Sequence, residues 1–387
     1  MNFFYHSLAA AAGKSEIKAG EEHMLQVDLI IGHDGSAPKV LAAWPQAEHI
    51  LEPQKVVFTV DHLFPSPTVE SREAYLAFSS FAAKEGIRLY KKGEGVLHQI
   101  IAEKHTPFAG MIIAGADGHV ATAGAFGAIA FSVTPQELVE IMLNGKLNLK
   151  VPESYTVEVV GDLKEEATAR DLALYLLGEL GKGLVKEKAL LLQGKLFENL
   201  SLASRMTITN LIGEMGAVTG LIVPAGKESE ADLILEAQKV EPMIAAPPQP
   251  TNVHPLKEYE GLAVTQVVVG GCGTGRLEDM KELLSGMGEE KVADEITLLV
   301  VPASAAVLNA MDELGFSAQL RSKGAVILPP GCGPCPGLHA GLLSPGERAL
   351  STTVRNTPGR MGSDKAEIYL ASPKTAGRTA VKGFISS

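Results

Sequence analysis

The sequence predicts an α/β protein built on parallel sheets with helices on both faces. Three observations lead there. Continuous apolar, β-branched runs alternate with amphipathic helical patterns along the whole chain, and parallel strands buried on two sides have that composition. The 387 residues exceed what one ordinary core accommodates and suit two or three domains. Two glycine-rich loops, at 270–276 and 329–337, each follow a strand-like run, at the carboxyl end where open α/β sheets build ligand sites.

The strand-like runs are Val27–Ile31, Val56–Val60, Met111–Ile113, Tyr155–Val160, Val264–Val269, Thr297–Val301 and Ala325–Leu328. Helical periodicity marks Ser71–Glu85, Thr134–Leu143, Ala167–Leu180, Leu200–Met215, Leu277–Met287 and Ala303–Leu314. Gly110–Phe131 is rich in Gly, Ala and Ile, but Asp117 and His119 sit in its middle. Its glycines are poor helix formers, so it reads as a buried strand–loop–helix and not as a membrane span. The segment from Glu241 to Pro255 carries Pro242, Pro247, Pro248, Pro250 and Pro255 without helical period and reads as a linker. With a second boundary near Val151–Pro152, the expected domains are 1–151, 152–240 and 241–387.

Composition excludes several classes of function. Lys and Arg number 34 against 45 Asp and Glu, a net charge of −11. No basic cluster interrupts this acidity, so nucleic-acid binding is not expected. The N-terminus lacks a basic leader followed by an apolar run, so no secretory signal is expected. Three cysteines are too few, and an odd number, for a disulfide framework. The expected setting is the reducing cytoplasm, with no membrane association.

Those cysteines pose the chemical question. Cys272 lies in Gly270-Gly-Cys-Gly-Thr-Gly-Arg276, and Cys332 and Cys335 lie in Pro329-Pro-Gly-Cys-Gly-Pro-Cys-Pro-Gly337. Glycines let backbone wrap a bulky group and aim N–H donors at it, and prolines stiffen the loop. Three thiolates can hold three irons of a cubane cluster and leave the fourth open as a Lewis acid. Zinc would ask for a fourth ligand. A redox pair would use Cys332 and Cys335 and leave Cys272 unexplained. Buried, inert cysteines are a third alternative, and these readings stay open on residue chemistry alone. The loop at 270–275 lacks the spacing of a dinucleotide-binding turn, and no phosphate loop occurs.

Taken together these motifs resemble the large subunits of 3-isopropylmalate dehydratase and homoaconitase, in the aconitase superfamily. The family's Gly-Ser-Cys-Thr-Asn-Gly-Arg loop is similar to Gly270–Arg276, and its Pro-Gly-Cys-Gly-Pro-Cys loop is reproduced at Pro330–Cys335. Ser351–Gly362, Ala366–Pro373 and Leu200–Asn210 resemble further family runs, and the likeness reaches Val27-Asp28 and His33-Asp34 near the N-terminus. The resemblance implies an aconitase-like iron–sulfur body of three α/β/α layered domains without the swivel domain. It implies a 4Fe-4S cluster on Cys272, Cys332 and Cys335, a small 2-hydroxy di- or tricarboxylic acid as substrate, and a hydro-lyase reaction completed by a separate small swivel-domain subunit.

It also implies site residues. Asp61, His62, His98, Asp117 and His119 would surround the open iron and its water, with Glu214 as a further catalytic group. A carboxylate beside an imidazole can hold charge on it and deliver a proton to departing hydroxide. Arg355 and Arg360, whose guanidinium forks match carboxylates, would bind substrate with Asn210. The sequence departs from the family at Gly118, Thr122, Gly273, Thr274, Val354 and Thr357, losing a hydroxyl and several amides around the site. These losses imply a divergent member with another hydroxy-acid or weakened catalysis. The alternative function is a non-catalytic iron–sulfur sensor or regulator built on the same body.

Overall fold

The computed structural model describes residues 2–45 and 47–387, which group into two compact units. The first comprises 1–92, 100–161 and 183–236; the second comprises 93–99, 162–182 and 237–387.

The first unit carries two parallel sheets. A five-stranded sheet runs in the order Arg88–Tyr90, Val56–Thr59, Leu29–His33, Ile112–Gly115, Ile129–Ser132. Its central strand is buried at every position, so its continuous apolar composition follows from cover on both faces. A four-stranded sheet runs Thr219–Ile222, Ala189–Gln193, Ser154–Val160, Leu233–Glu236. A small antiparallel ribbon pairs Glu22–Gln26 with Lys146–Lys150. Phe4, Val40, Phe58, Phe78, Ile112 and Leu138 are among the buried side chains that fill this unit's core.

The second unit holds a seven-stranded sheet in the order Val253–Pro255, Met243–Ala245, Glu367–Leu370, Arg348–Ser351, Gln266–Gly270, Thr297–Val301, Val326–Ile327. Its strands are parallel from Glu367–Leu370 onward, and the first two join antiparallel. The helices Leu277–Met287 and Pro373–Lys382 press together closely. A Cβ on Gly286 would stand 2.1 Å from the Lys374 carbonyl, and one on Gly377 would stand 2.3 Å from that of Leu283. Val267, Val269, Met280, Leu298 and Leu350 sit in the core between sheet and helices.

Register fixes where the loops emerge. Gly270 pairs with Val301, Val268 with Ser351 and Val300 with Ile327. The chain after each of these parallel strands therefore leaves along one edge, and it carries Cys272, Thr352–Arg355 and Cys332. In the five-stranded sheet, His33 pairs with Thr59 and Ile31 with Gly115. His33-Asp34, Asp61-His62 and Asp117 accordingly emerge together at its carboxyl edge.

Three local expectations are corrected. The proline-rich segment 241–255 is not a linker; it contributes the strands Met243–Ala245 and Val253–Pro255. Pro255 is tolerated because it lies in the outermost strand, and the segment is anchored by Asp171, which accepts the Met243 N–H at 2.9 Å. Gly178 also brings the helix Ala169–Leu180 against Val253. Gly110–Phe131 ends not in an α-helix but in a 3₁₀ turn, Val120–Phe126, followed by the strand Ile129–Ser132. A Cβ on Gly124 would lie 2.2 Å from the Gly220 carbonyl, so this turn is pressed against backbone where a wider helix has no room. The single helix expected over Leu200–Met215 spans only Leu202–Asn210, with a 3₁₀ turn at Gly213–Met215. Among the described residues no helix is long and apolar enough to cross a membrane.

Candidate active site

At the edge of the five-stranded sheet, charged side chains organise one another. Asp34 Oδ1 accepts the N–H groups of Asp61 and His62 at 3.4 and 3.1 Å, and Oδ2 accepts that of Leu63 at 2.9 Å. The His62 Nδ1 lies 2.7 Å from Asp61 Oδ1 and 3.2 Å from Asp34 Oδ1. The His62 ring stacks on that of His33, with centroids 4.3 Å apart. His33, Asp34, Asp61 and His62 each offer a ligand atom within 4.8 Å of the others.

Burial opposes charge on both partners of this group, yet each is held charged. The charge of Asp61 and the hydrogen bonds to Asp34 and Asp61 outweigh desolvation and raise His62 well above the ordinary histidine range. For Asp34, the hydrogen bond and charge of His62 outweigh desolvation and hold its carboxyl well below the ordinary range.

The neighbouring loop continues the network. His33 Nδ1 accepts the Gly35 N–H at 3.0 Å, so the ring proton sits on Nε2, which meets Asp117 Oδ2 at 3.1 Å. The other Asp117 oxygen accepts the His119 N–H at 2.6 Å. The His119 ring meets Glu214 Oε1 through Nε2 at 3.2 Å. Asn210 is fully buried and donates from Nδ2 to Thr122 Oγ1 at 2.9 Å. Thr122 in turn donates to the His119 carbonyl at 2.6 Å. The amide of Asn210 thus supports His119 from below, through the very position where an asparagine has become Thr122.

The second unit brings its cysteine loops together. Cys272 packs against the small buried cluster of Val96, Ala303 and Cys332. Gly271, with φ at +84°, lies beside the Cys332 carbonyl and the Thr353 methyl, each 3.9 Å from where its Cβ would be. Gly270, with φ at +130°, has no room for a side chain, because a Cβ would lie 1.9 Å from the Val301 carbonyl. Cys335 donates its N–H to the Cys332 carbonyl at 3.3 Å, which closes the second loop into a turn. Gly337 then presses on the Arg360 carbonyl, at 2.9 Å from its would-be Cβ.

Side chains hold these loops from behind. Thr274 Oγ1 and Thr352 Oγ1 are 2.6 Å apart, and Thr352 also accepts the Gly270 N–H at 3.0 Å. Arg276 donates to the Cys272 and Gly273 carbonyls at 3.2 and 3.3 Å and to Gln99 Oε1 at 3.0 Å. Arg355 and Arg360 are half-buried on the segment that follows strand Arg348–Ser351. Next to Arg355, Asn356 is buried and donates to the Ala245 carbonyl at 3.2 Å. His98 is buried on the helix Leu97–Lys104. Arg170 is fully buried and donates from Nη2 to the Thr353 carbonyl at 2.5 Å. Burial lowers its guanidinium to about 10 against the charges of Asp279, Cys272, Asp171 and Cys335, so it stays protonated at neutral pH.

Sequence reasoning had assigned no role to His33 and Asp34, to Arg276 and Gln99, or to Arg170. For the first pair a signal existed, since both end a strand just as Asp61-His62 does. Arg276 closes the cysteine motif itself. Arg170 gave no signal, because its importance depends on which segments converge around it.

The sequence model of the aconitase family (aconitate hydratase) matches residues 8–231 and 225–383. The chain is 36% identical to the 3-isopropylmalate dehydratase large subunit 1 of Methanopyrus kandleri, over 98% of this chain and 96% of that protein. It is 32% identical to the probable methanogen homoaconitase large subunit of Methanothermobacter thermautotrophicus, over 100% of this chain and 97% of that one. In fold it is similar to the crystal structure of Thermococcus kodakaraensis aconitase X in its holo form, with a TM-score of 0.54 at 11% identity, over 94% of this chain and 88% of that one. On residues matched almost end to end and on relatives of its own length, this chain belongs to the aconitase family.

Proposed function

We propose that this chain is the large subunit of an iron–sulfur hydro-lyase that adds or removes water at a small 2-hydroxy di- or tricarboxylic acid. Relatives named as 3-isopropylmalate dehydratase and homoaconitase large subunits support the reaction class and a separate small subunit as partner. The substrate class, the swivel-domain character of that partner and a 4Fe-4S cluster go beyond the names.

One observation carries the proposal: the two cysteine loops converge, with a buried cation beside them. Arg170 Nε and Nη1 are buried without hydrogen-bond partners, which suits a bulky anionic group that accepts hydrogen bonds. Among the described residues, the three thiols do not gather within 4.8 Å of one another as ligands of a single ion would. A cluster spreads its thiolates over separate irons. Cys272, Cys332 and Cys335 would therefore hold the cluster. When bound, its open iron supplies a Lewis acid for a substrate hydroxyl and carboxylate.

The chain's own residues supply the rest. Arg355 and Arg360 bind carboxylate oxygens through forked hydrogen bonds. His62, kept protonated by Asp61 and Asp34, is suited to give a proton to departing hydroxide. Asp117 fixes the tautomer and orientation of His33, and Glu214 does the same for His119. Asn210 joins Arg355 and Arg360 as a substrate-binding residue, and its Nδ2 also supports His119 through Thr122. His98 is assigned a role at the leaving water.

Anaerobic loading with iron and sulfide tests the reading. Brown protein with about four irons per chain is the expected result. Colourless protein with one zinc and no sulfide overturns it. Turnover of isopropylmalate-like and homocitrate-like acids with a small subunit present tests the reaction. If no hydroxy-acid turns over or perturbs the reduced-cluster spectrum, the hydro-lyase assignment falls and the sensor reading takes its place.

A further inference from the structure

Arg170 is the largest of the fully buried side chains among the described residues, at 1% exposure. It stands second in the helix Ala169–Leu180, beside Asp171. Both oxygens of Asp171 are taken. Oδ2 accepts from the Thr168 N–H and hydroxyl, and Oδ1 accepts from the Met243 N–H. Asp279, the other acid acting on Arg170, accepts the Arg276 N–H. Among the described residues the Arg170 guanidinium thus has one hydrogen-bond partner, the Thr353 carbonyl, and two N–H-bearing nitrogens with none.

Leaving such donors unmade in the interior is costly, because each forfeits its hydration without a replacement. Folds retain that arrangement where something else accepts the bonds. The position of Arg170 indicates what does. Thr353 flanks Gly271, and Gly271 flanks the Cys332 carbonyl. The same guanidinium feels the charges of Cys272 and Cys335. One buried cation therefore braces the segment that flanks Gly271 and the Cys332 carbonyl, on a helix that brings no cysteine of its own.

We propose that Arg170 is a hydrogen-bond donor and counter-charge to the iron–sulfur group held by Cys272, Cys332 and Cys335, directing Nε and Nη1 at its sulfurs. The inference rests on the cluster reading above. It gives Arg170 a donor's part beside loops in which Thr274 and Val354 stand where the resembled pattern has asparagines. A cation and two donors at the cluster stabilise its reduced, more negative form and protect it from loss.

The test uses the full-length chain, loaded anaerobically with iron and sulfide. In protein grown with arginine carrying the heavy nitrogen isotope, pulsed spectroscopy of the reduced cluster should show an arginine nitrogen coupling. Arg170→Lys should remove it. Arg170→Gln should move the cluster's midpoint potential to more negative values and speed iron loss to a chelator by about tenfold. Arg170→Lys, which keeps the charge, should fall between the two. Absence of an arginine coupling in the unsubstituted protein overturns the proposal whether or not the variants fold. An unchanged midpoint and chelation rate in Arg170→Gln overturn it as well, and leave Arg170 only as a tie to Thr353. Unsubstituted protein that takes up one zinc and no sulfide refutes the cluster reading instead, and is told apart by metal analysis before any variant is made.

Discussion

The histidine–aspartate edge of the five-stranded sheet and the cysteine loops of the seven-stranded sheet are shaped by different means. In the first, side chains position side chains: Asp34 gathers three backbone N–H groups and His62, while Asp117 joins His33 to His119. In the second, backbone is shaped by the lack of side chains at Gly270, Gly271 and Gly333, and then clamped by Thr274, Thr352 and Arg276. The contrast indicates what each region is for. A network of coupled acids and bases sets protonation, whereas a wrapped, glycine-lined loop makes space for an object. Substitutions should separate along that line, protonation defects on one side and loading defects on the other.

The largest effect is expected from Cys272→Ser. It should reduce bound iron to near background, while Asp34→Asn leaves iron content unchanged; elemental analysis of both variants checks the division. Equal iron loss in the two would erase the contrast. Next comes Arg355→Ala, expected to lower kcat/KM by at least ~10²-fold with iron content intact, since it truncates one partner of a charge-assisted contact. Loss of iron there would move Arg355 to a structural role.

Gly270→Ala should destabilise the fold by about 3 kcal/mol, because its methyl meets the Val301 carbonyl and φ lies in the glycine region. Thermal unfolding measures it. Asp34→Asn should bring His62 back toward the ordinary histidine range and move the alkaline limb of the pH–rate profile to lower pH, readable also by NMR titration of His62.

The signs of the linkage follow from the two directions. Asp34 contributes stability above the ordinary carboxylate range, near pH 4, and loses it as pH falls through its depressed value. His62 contributes fully below the ordinary histidine value, near pH 6.5, and loses its contribution as pH rises through its raised value. Both contributions are complete between about pH 4 and 6.5, and a stability profile with no plateau there would contradict the coupling. The smallest effect is Asn210→Ala, which should cost about 1–3 kcal/mol by leaving a buried hydroxyl of Thr122 short of a donor.

Much of the fold was legible in the sequence where one local signal ruled. Thr297–Val301 and Leu277–Met287 form the elements that apolar period indicated, to the residue. The segment 241–255 misled because proline content reports local stiffness and says nothing of a distant anchor such as Asp171. The cysteine loops were readable because glycine, proline and cysteine concentrate in a few positions. Arg170 was not, since its surroundings arise from separate loops brought side by side. The lost asparagine at Thr122 looked like a defect in sequence, yet the hydroxyl there links Asn210 to His119.

The bonds that shape the Cys272 loop have a consequence for how far its thiol can move. Thr352 to Gly270, Thr274 to Thr352 and Arg276 to the carbonyls of Cys272 and Gly273 are all made by the polypeptide itself. The loop is braced from several sides at once, so the Cys272 thiol is presented from a fixed place.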